Sequence, residues 1–158
     1  MTRPKEFYYT KEEMVKDLLA ITPIGENDSV LDAGSGSNKV WYNNIKQKEK
    51  YECEIEEGKD FFEWNLEVDW VVGNPPFQLG WKFLEKASSI ARKGIAFLGS
   101  IKFLNSMVVP NRLETLKQRG FSLKRVHILQ DKRWFGRYFY LILTKEENNF
   151  LSWTLKVY

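Results

Sequence analysis

Apolar and polar residues change their spacing repeatedly along the chain, and the changes predict strands that alternate with helices. Short apolar runs typical of buried strands occur at Val30–Leu31, at Val71–Val72 and from Ile95 to Leu98. Apolar residues recur every three or four positions from Met14 to Leu19 and from Leu79 to Ala91, as they do in amphipathic helices. This alternation indicates an α/β domain with a mainly parallel sheet.

The second half of the chain predicts a helix followed by a hairpin. Gly94 comes after the helical repeat and is expected to end that helix. The segment from Pro110 to Gly120 has a proline at its start and a glycine at its end, which is the usual asymmetry of a helix. Leu123–Leu129 and Tyr138–Leu143 are predicted as two strands, and we expect them to pair antiparallel.

Length and composition narrow the class of protein. The chain has 158 residues, 43% of them hydrophobic, so a single domain over residues 1–158 is expected. The one cysteine excludes an internal disulfide and favours a cytoplasmic location, which is the host cytoplasm if the chain is viral. One cysteine and one histidine do not make a zinc site, so we expect no metal. The chain contains no apolar run long enough to span a membrane, and we expect no membrane association.

Charge is distributed unevenly along the chain. Between residues 52 and 69 the chain has eight acidic residues and one basic residue, Lys59, whereas basic residues predominate from Arg112 to Arg137. A basic half suggests a polyanionic partner, although an ordinary solvated surface is the simpler alternative. The acids of the first region are Glu52, Glu54, Glu56, Glu57, Asp60, Glu63, Glu67 and Asp69.

A glycine-rich turn follows the first predicted strand, in the order Asp32-Ala33-Gly34-Ser35-Gly36. A strand, a glycine turn and then a helix are typical of nucleotide-binding α/β folds. A dinucleotide site would have a third glycine at Lys39, which this chain lacks. The carboxylate of Asp32 repels a pyrophosphate but can hold a cationic amino-acid group. Glu54, about 20 residues further on, is placed to accept from ribose hydroxyls, with Glu52 as its competitor.

The segment Gly73-Asn74-Pro75-Pro76-Phe77 ends the strand at Val71–Val72. Two prolines remove two backbone donors and stiffen the chain, which leaves mainly acceptors: the side-chain oxygen of Asn74 and nearby carbonyls. Two acceptors at a fixed spacing suit a planar NH₂ group, and the ring of Phe77 offers a face on which a base can stack. The alternative is a strand that simply ends in a Pro-Pro turn.

These segments together resemble the S-adenosylmethionine-dependent N6-adenine DNA methyltransferases, which carry an Asn-Pro-Pro-Phe catalytic motif. The resemblance implies that Asn74, Pro75, Pro76 and Phe77 are catalytic and that Tyr9-Thr10 meets the methionine end of the cofactor. Thr10 has a second interpretation, as the N-cap of a capping box with Glu13. The resemblance assigns cofactor binding to Tyr9, Thr10, Asp32, Gly34, Ser35, Gly36, Glu54, Asp60, Phe61 and Asn74.

The resemblance also implies a reduced version of the family's fold. We expect a Rossmann-like class I methyltransferase with a mostly parallel sheet and an antiparallel C-terminal hairpin. The few residues between Glu54 and Asp60 leave no room for the usual helix and strand there, so one of each is expected to be missing. No target-recognition domain of useful length is present, which suggests a short recognition site or a homodimer.

The basic and aromatic loop from Gln130 to Arg137 resembles the family's late motif that meets the target adenine. It combines cations suited to phosphates with rings suited to a flipped base. The alternative is a hairpin loop folded over the sheet. The predicted nucleic-acid contacts are Lys132, Arg133, Trp134, Phe135 and Arg137, with Phe135 preferred over Trp134 as the residue that meets the base.

The predicted activity is methyl transfer from S-adenosylmethionine to the N6 amino group of adenine in DNA. Two alternatives stay open. The amino group can belong to RNA adenine or to another amine, because related motifs serve those substrates. The chain can also be a non-catalytic nucleic-acid-binding partner that keeps the fold, although Asp32, Gly34, Gly36 and Asn74 argue against this. DNA is the expected partner, ahead of RNA.

Overall fold

In the computed structural model, residues 10–133, 136–147 and 151–157 are described. They form one six-stranded sheet in the order β2-β1-β3-β4-β6-β5, with helices between the strands. The strands are β1 (Val30–Asp32), β2 (Lys50–Glu52), β3 (Val68–Gly73), β4 (Ala91–Ser100), β5 (Ser122–Leu129) and β6 (Tyr138–Thr144). The helices are α1 (Glu12–Ile21), α2 (Val40–Asn44), α3 (Gly80–Ile90), α4 (Ile101–Met107) and α5 (Pro110–Gln118).

The direction of the strands matches the prediction of a mostly parallel sheet with an antiparallel hairpin. Strands β2, β1, β3 and β4 pair in parallel, and β6 runs antiparallel between β4 and β5. The register sets Asp32 beside both Glu52 and Val72, which places the ends of β1, β2 and β3 at one edge. Ligands of open α/β sheets bind at this carboxyl edge.

Helices cover both faces of the sheet, and each face has its own apolar cluster. Helices α3, α4 and α5 pack on the face that carries Leu31, Val71 and Phe97. Helices α1 and α2 pack on the other face, where Trp41 and Tyr140 are the largest buried side chains. The central strands β3 and β4 are therefore buried on both faces, which explains their continuous apolar sequences.

The sheet is shortened at its β2 edge, as predicted. Within the described residues, the chain between β2 and β3 contains only two single-turn 3₁₀ helices, Ile55–Glu57 and Phe61–Glu63. No further strand pairs with β2 there, so β2 is an edge strand. The helix and the strand that the family's fold usually has at this point are therefore absent from this connection, as expected.

Two local predictions were wrong, and one helix was not predicted. Gly94 does not end α3, because that helix ends at Ile90 and Gly94 lies inside β4. A Cβ atom at Gly94 would sit 2.2 Å from the ring of Trp70, so the glycine is needed for close packing. Helix α4 has no counterpart in the predicted elements. Helix α1 begins at Glu12 with Lys11 as N-cap and no side-chain cap, so the capping box of Thr10 does not form.

No helix in the described part of the chain combines the length and the apolar character that a membrane span requires. Among those same residues, no group of His, Cys, Asp and Glu side chains is arranged to hold a metal ion.

Candidate active site

The glycine turn after β1 and the Asn-Pro-Pro-Phe segment after β3 lie side by side. The N–H of Ala33 donates to the carbonyl of Val72 at 3.0 Å, so the pairing of β1 with β3 continues to the residue before Gly73. Gly73 has φ 140°, and a Cβ atom there would lie 3.1 Å from Oδ1 of Asp32. Only glycine accepts both conditions readily, so Gly73 is what brings the segment ending in Asn74 against Asp32.

Asp32 is a fully buried carboxylate at the centre of this edge. It accepts hydrogen bonds from the N–H groups of Tyr42, at 3.1 Å, and Gly34, at 3.4 Å. Burial raises the pKa of Asp32 to about 7, against the effect of these two donors. The nearby negative charges of Glu52 and Glu54 add to the rise. A cation bound beside Asp32 would relieve this destabilisation, because it favours the ionised carboxylate.

Ser35 and Lys39 hold the glycine turn to β2. The hydroxyl of Ser35 donates to Glu52 at 2.9 Å, and its N–H donates to the carbonyl of Cys53 at 2.8 Å. These bonds turn the polar groups of Ser35 towards β2, and its contact with the cofactor stays a prediction. Lys39 has φ 49°, a left-handed conformation that favours glycine, and its ammonium group bonds Glu52 at 3.2 Å.

Glu54 and Glu52 are the two candidate partners of the ribose hydroxyls, and the structure gives them different surroundings. The carboxylate of Glu52 is 9% exposed and is held by Ser35, Lys39 and Lys59. Burial acts against ionisation, but the hydrogen bonds from these three partners hold the pKa of Glu52 below its usual value. Glu54 caps the following 3₁₀ turn by accepting from the N–H of Glu56 at 3.0 Å. Glu54 therefore stays the predicted partner of ribose hydroxyls.

Asp60 and Phe61 were predicted to contact the cofactor. Phe61 is buried, and the next residue, Phe62, is the exposed ring. Asp60 accepts from the N–H of Phe62 at 2.9 Å and so caps its own turn. Phe61 is 3% exposed and stacks on Phe83 at a centroid distance of 5.0 Å. Phe61 therefore supports the wall of the site from inside, and Phe62, which is 40% exposed, is the ring with an open face.

The amide of Asn74 is held by Thr10. Its Nδ2 donates to the hydroxyl of Thr10 at 3.3 Å, and the indole Nε1 of Trp41 donates to the same oxygen at 3.3 Å. Thr10 is 4% exposed, and Trp41 is fixed in turn by stacking on Tyr140 at 5.9 Å. Thr10 thus links two residues that are distant in sequence, Trp41 and Asn74. The predicted contact of Tyr9 lies outside the described residues.

The backbone of the motif is shaped as the two prolines predict. Pro75 is buried, and the carbonyl of Pro76 accepts from the N–H of Leu79 at 2.9 Å. Among the described residues, no backbone N–H outside the helices and strands donates to the carbonyl of Pro75, which stays the predicted second acceptor of the motif. Phe77 is 37% exposed, and its ring lies 5.8 Å from that of Tyr138.

The contact between Phe77 and Tyr138 brings the β5–β6 loop to the same edge, because Tyr138 is the first residue of β6. Within that loop, Arg133 is held at 2.7 Å by Asp131, a carboxylate with 1% side-chain exposure. The hydrogen bonds from Arg133 keep the pKa of Asp131 below its usual value. Lys132, Arg133 and Arg137 are all exposed, but the guanidinium of Arg133 is engaged by Asp131, so Lys132 and Arg137 are better placed for a phosphate. Trp134 and Phe135 lie outside the described residues.

Two residues at the site were not predicted from the sequence. Trp41 orients Thr10, and Tyr138 supports Phe77. Both belong to apolar runs that are equally typical of core positions, so their role emerges only when the sheet brings them to the edge. The exposed ring of Phe77, the predicted acceptors of the motif and the acidic glycine turn lie along one edge, which suits a cationic ligand and a planar amine.

No protein-family model matches the sequence, and no curated protein matches it significantly. Solved structures do match. A candidate RNA methyltransferase from Pyrococcus horikoshii is 18% identical and superposes with a TM-score of 0.60 over 94% of this chain and 90% of that one. Magnesium protoporphyrin IX methyltransferase from Synechocystis PCC 6803 with bound SAH is 12% identical, with a TM-score of 0.61 over 90% and 92%. The chain has the fold of the class I methyltransferases.

Within this fold, a third match shows how varied the substrates are. The ribosomal protein L11 methylase from Lactobacillus delbrueckii subsp. bulgaricus is 12% identical, with a TM-score of 0.59 over 86% of this chain and 77% of that one. Proteins named for an RNA, a porphyrin and a protein substrate thus share the methyltransferase fold. The choice of substrate must therefore come from the residues of the site.

Proposed function

We propose that the protein is an S-adenosylmethionine-dependent methyltransferase that methylates the N6 amino group of adenine in DNA. The observation that carries this proposal is the position of Asn74. Its amide lies at the carboxyl edge of the sheet, beside a glycine turn with a buried carboxylate, and Thr10 bonds its nitrogen. This arrangement brings the side chain of Asn74, the proposed amine acceptor, beside a buried carboxylate that suits a cationic ligand.

The residues present fit the proposed cofactor. S-adenosylmethionine carries a sulfonium and an ammonium group, and the buried Asp32 with Glu52 and Glu54 nearby gives this edge a negative potential. Glu54 is assigned to the ribose and Asp60 to the adenine, and Phe61, the aromatic residue of this assignment, is buried against Phe83. The bound cofactor supplies an electrophilic methyl group, so the chain needs neither a metal ion nor a covalent intermediate.

The chain's own contribution is to hold the amine in position. Asn74 Oδ1 and the carbonyl of Pro75 accept hydrogen bonds from the two N6 hydrogens of a flipped adenine. These bonds draw the nitrogen lone pair out of conjugation and direct it at the methyl group. Phe77 stacks on the base, and Tyr138 holds the ring of Phe77. The new N–C bond forms as the S–CH₃ bond breaks, and one amino proton leaves to water. Most of the rate is expected from position and aligned dipoles.

The preference for DNA depends on the Asn-Pro-Pro-Phe motif and the exposed cations Lys132 and Arg137. RNA adenine is the second candidate. The candidate RNA methyltransferase from Pyrococcus horikoshii favours it only through the shared fold.

The test is a transfer assay with methyl-labelled S-adenosylmethionine. The substrates are duplex DNA, single-stranded DNA and RNA of matched sequence, and the products are digested to nucleosides and separated. We expect labelled N6-methyladenine from DNA. Label in RNA, in N4-methylcytosine or in a protein would replace the substrate in the proposal. Calorimetric titration with the cofactor is run in parallel, and no heat at saturating concentration would indicate a non-catalytic binding partner.

A further inference from the structure

Helix α4 begins at the same edge of the sheet as the Asn-Pro-Pro-Phe segment. Strand β4 continues past the end of β3 as far as Ser100, which pairs with Tyr138 of β6. The ring of Tyr138 in turn lies 5.8 Å from the ring of Phe77. Because α4 starts at the next residue, Ile101, its first turn lies close to the ring on which the proposed function stacks the target base.

Packing fixes α4 in this position. The ring of Phe103 is 1% exposed and fills the space that a side chain at Gly80 or Gly99 would need, since a Cβ atom at either glycine would lie 2.3 Å from it. At the other end of α4, the guanidinium of Arg112 donates to the hydroxyl of Ser106 and to its carbonyl, the latter at 2.7 Å. The fold therefore sets where the outer face of α4 lies relative to the motif.

That outer face presents an apolar side chain and a cation. Ile101 is 56% exposed, and the neighbouring Lys102 is exposed as well. Lys102 makes no ion pair with the part of the chain that the structure describes. The sequence also has no acidic residue between Glu85 and Glu114. A positive charge without a paired acid, next to exposed apolar surface, suits the phosphates and stacked bases of a nucleic acid.

The proposed chemistry needs an apolar side chain at this place. A flipped base leaves a gap in the stack from which it came, and its unpairing costs free energy. Proteins that unstack DNA insert apolar side chains such as isoleucine between base steps. A side chain with this role must be exposed, held by a fixed element and close to the flipped base. Ile101 meets these conditions, and Lys102 adds a charge for an adjoining phosphate.

We propose that α4 contacts the nucleic acid around the target base, with Ile101 filling the gap that the flipped adenine leaves and Lys102 binding a neighbouring phosphate. This inference deepens the proposed function and rests on it. It assigns the occupant of the outer face of α4 as the duplex itself, because the face combines a cation with an apolar side chain next to Phe77.

The first test measures kcat/KM for methylation of two duplexes that differ only in the base opposite the target adenine, one paired and one mismatched. A mismatched base costs less to flip, so the loss of a gap-filling side chain should matter less there. Ile101→Ala should lower kcat/KM about tenfold on the paired duplex and at most about twofold on the mismatched one. Ile101→Leu keeps an apolar side chain and should stay near the wild type on both.

Ile128→Ala is the matched control for removing an exposed isoleucine. Ile128 is 62% exposed and lies on β5, which is separated from β4 by β6. Its truncation should leave kcat/KM on the two duplexes within about twofold of the wild type.

The second test measures the Kd of the paired duplex at several salt concentrations, with S-adenosylhomocysteine present. Lys102→Gln should reduce the slope of log K against log salt by about 0.9, the value for one phosphate contact to duplex DNA. Lys124→Gln is its control. Lys124 is an exposed lysine paired with Glu146 near the start of β5, at the opposite edge of the sheet, and its replacement should leave the slope unchanged.

An equal loss of kcat/KM on both duplexes in Ile101→Ala, or no loss on either, would overturn the inference. An unchanged salt slope in Lys102→Gln would overturn it as well. A wild type that methylates no nucleic acid would instead defeat the proposed function, and that failure is seen before any variant is made. The salt titration measures binding alone, so it tests Lys102 in that case too.

Discussion

The two sides of the carboxyl edge are built in different ways. On the β1–β3 side, a buried carboxylate, a glycine turn and Asn74 are fixed by strand register and hydrogen bonds. On the β5–β6 side, Lys132, Arg133 and Arg137 are exposed, and Arg133 is held by Asp131. In the proposed function, the first side positions the reacting groups and the second side contacts the charged nucleic acid.

The largest effect is expected on the preorganised side, at Asn74. Asn74→Ala removes the amine acceptor, and turnover should fall by roughly 10²–10³-fold, as it does when other preorganised polar groups are removed. The dissociation constant of the cofactor should change little, because the glycine turn is untouched. Steady-state methylation and calorimetry measure the two quantities. Methylation near the wild-type level would refute the role given to Asn74.

Gly73 should be the next most sensitive position. Gly73→Ala places a Cβ atom 3.1 Å from Oδ1 of Asp32 at φ 140°, so the segment that carries Asn74 must shift. A displacement of about 1 Å costs roughly 10² in rate. Gly120→Ala is the control for backbone strain, because Gly120 also has a positive φ, 84°, with only the Lys145 side chain near its Cβ position. Equal turnover in the two variants would show that the placement of Asn74 tolerates movement.

Cofactor affinity should depend on pH through Asp32. Below about pH 7 the carboxyl is largely protonated, and above it the charge that attracts a cationic ligand is present. Between pH 6 and 8 the ionised fraction rises from about 0.1 to about 0.9, so affinity should rise by up to roughly tenfold. Asp32→Asn should bind weakly with little dependence on pH. Calorimetry at three pH values measures this, and an affinity that falls as pH rises would contradict it.

The same titration affects stability with the opposite sign. The folded pKa of Asp32 is above its unfolded value, so its contribution to stability is full at low pH. That contribution is lost as the pH rises through about 7. Asp32→Asn should therefore lose less stability than the wild type between pH 5 and 8, as thermal unfolding without cofactor can measure.

The smallest effects are expected on the β5–β6 side. There Lys132 and Arg137 should affect nucleic-acid binding, and Arg133 should affect stability. Changing both Lys132 and Arg137 to Gln should weaken nucleic-acid binding a few-fold and reduce the slope of log K against log salt by about 0.7–0.9 for each phosphate that is no longer neutralised. Arg133→Gln should mainly lower the melting temperature, because Asp131 is left buried without its guanidinium. Titrations at several salt concentrations test the first effect, and thermal unfolding tests the second. An unchanged slope in the double variant would remove this loop from the interface.

The same contrast explains what the sequence could predict. The glycine turn, Glu54 and Asn74 were found from short segments because strand ends and prolines impose local chemistry. Their meeting at one edge followed from the parallel order of the strands. The sequence also predicted the missing helix and strand, because too few residues lie between Glu54 and Asp60.

Predictions that depend on distant packing could not be made this way. Gly94 had the local signature of a helix end, but the ring of Trp70 from the neighbouring strand requires a glycine there. Thr10 had the local signature of a cap, but its hydroxyl is used by Trp41 and Asn74, which lie 31 and 64 residues away. Phe61 and Phe62 are adjacent in sequence and both contact Phe83, but the tertiary packing buries only Phe61, which local sequence could not indicate.

The central claim is that Asn74 and Pro75 hold an adenine amino group beside the cofactor. The most direct measurement is a crystal structure of the protein with S-adenosylhomocysteine and an adenine-containing oligonucleotide. We predict N6 within about 3 Å of Asn74 Oδ1 and of the Pro75 carbonyl, with the cofactor against the Gly34 turn. A base held elsewhere, or a cofactor bound away from that turn, would contradict the account.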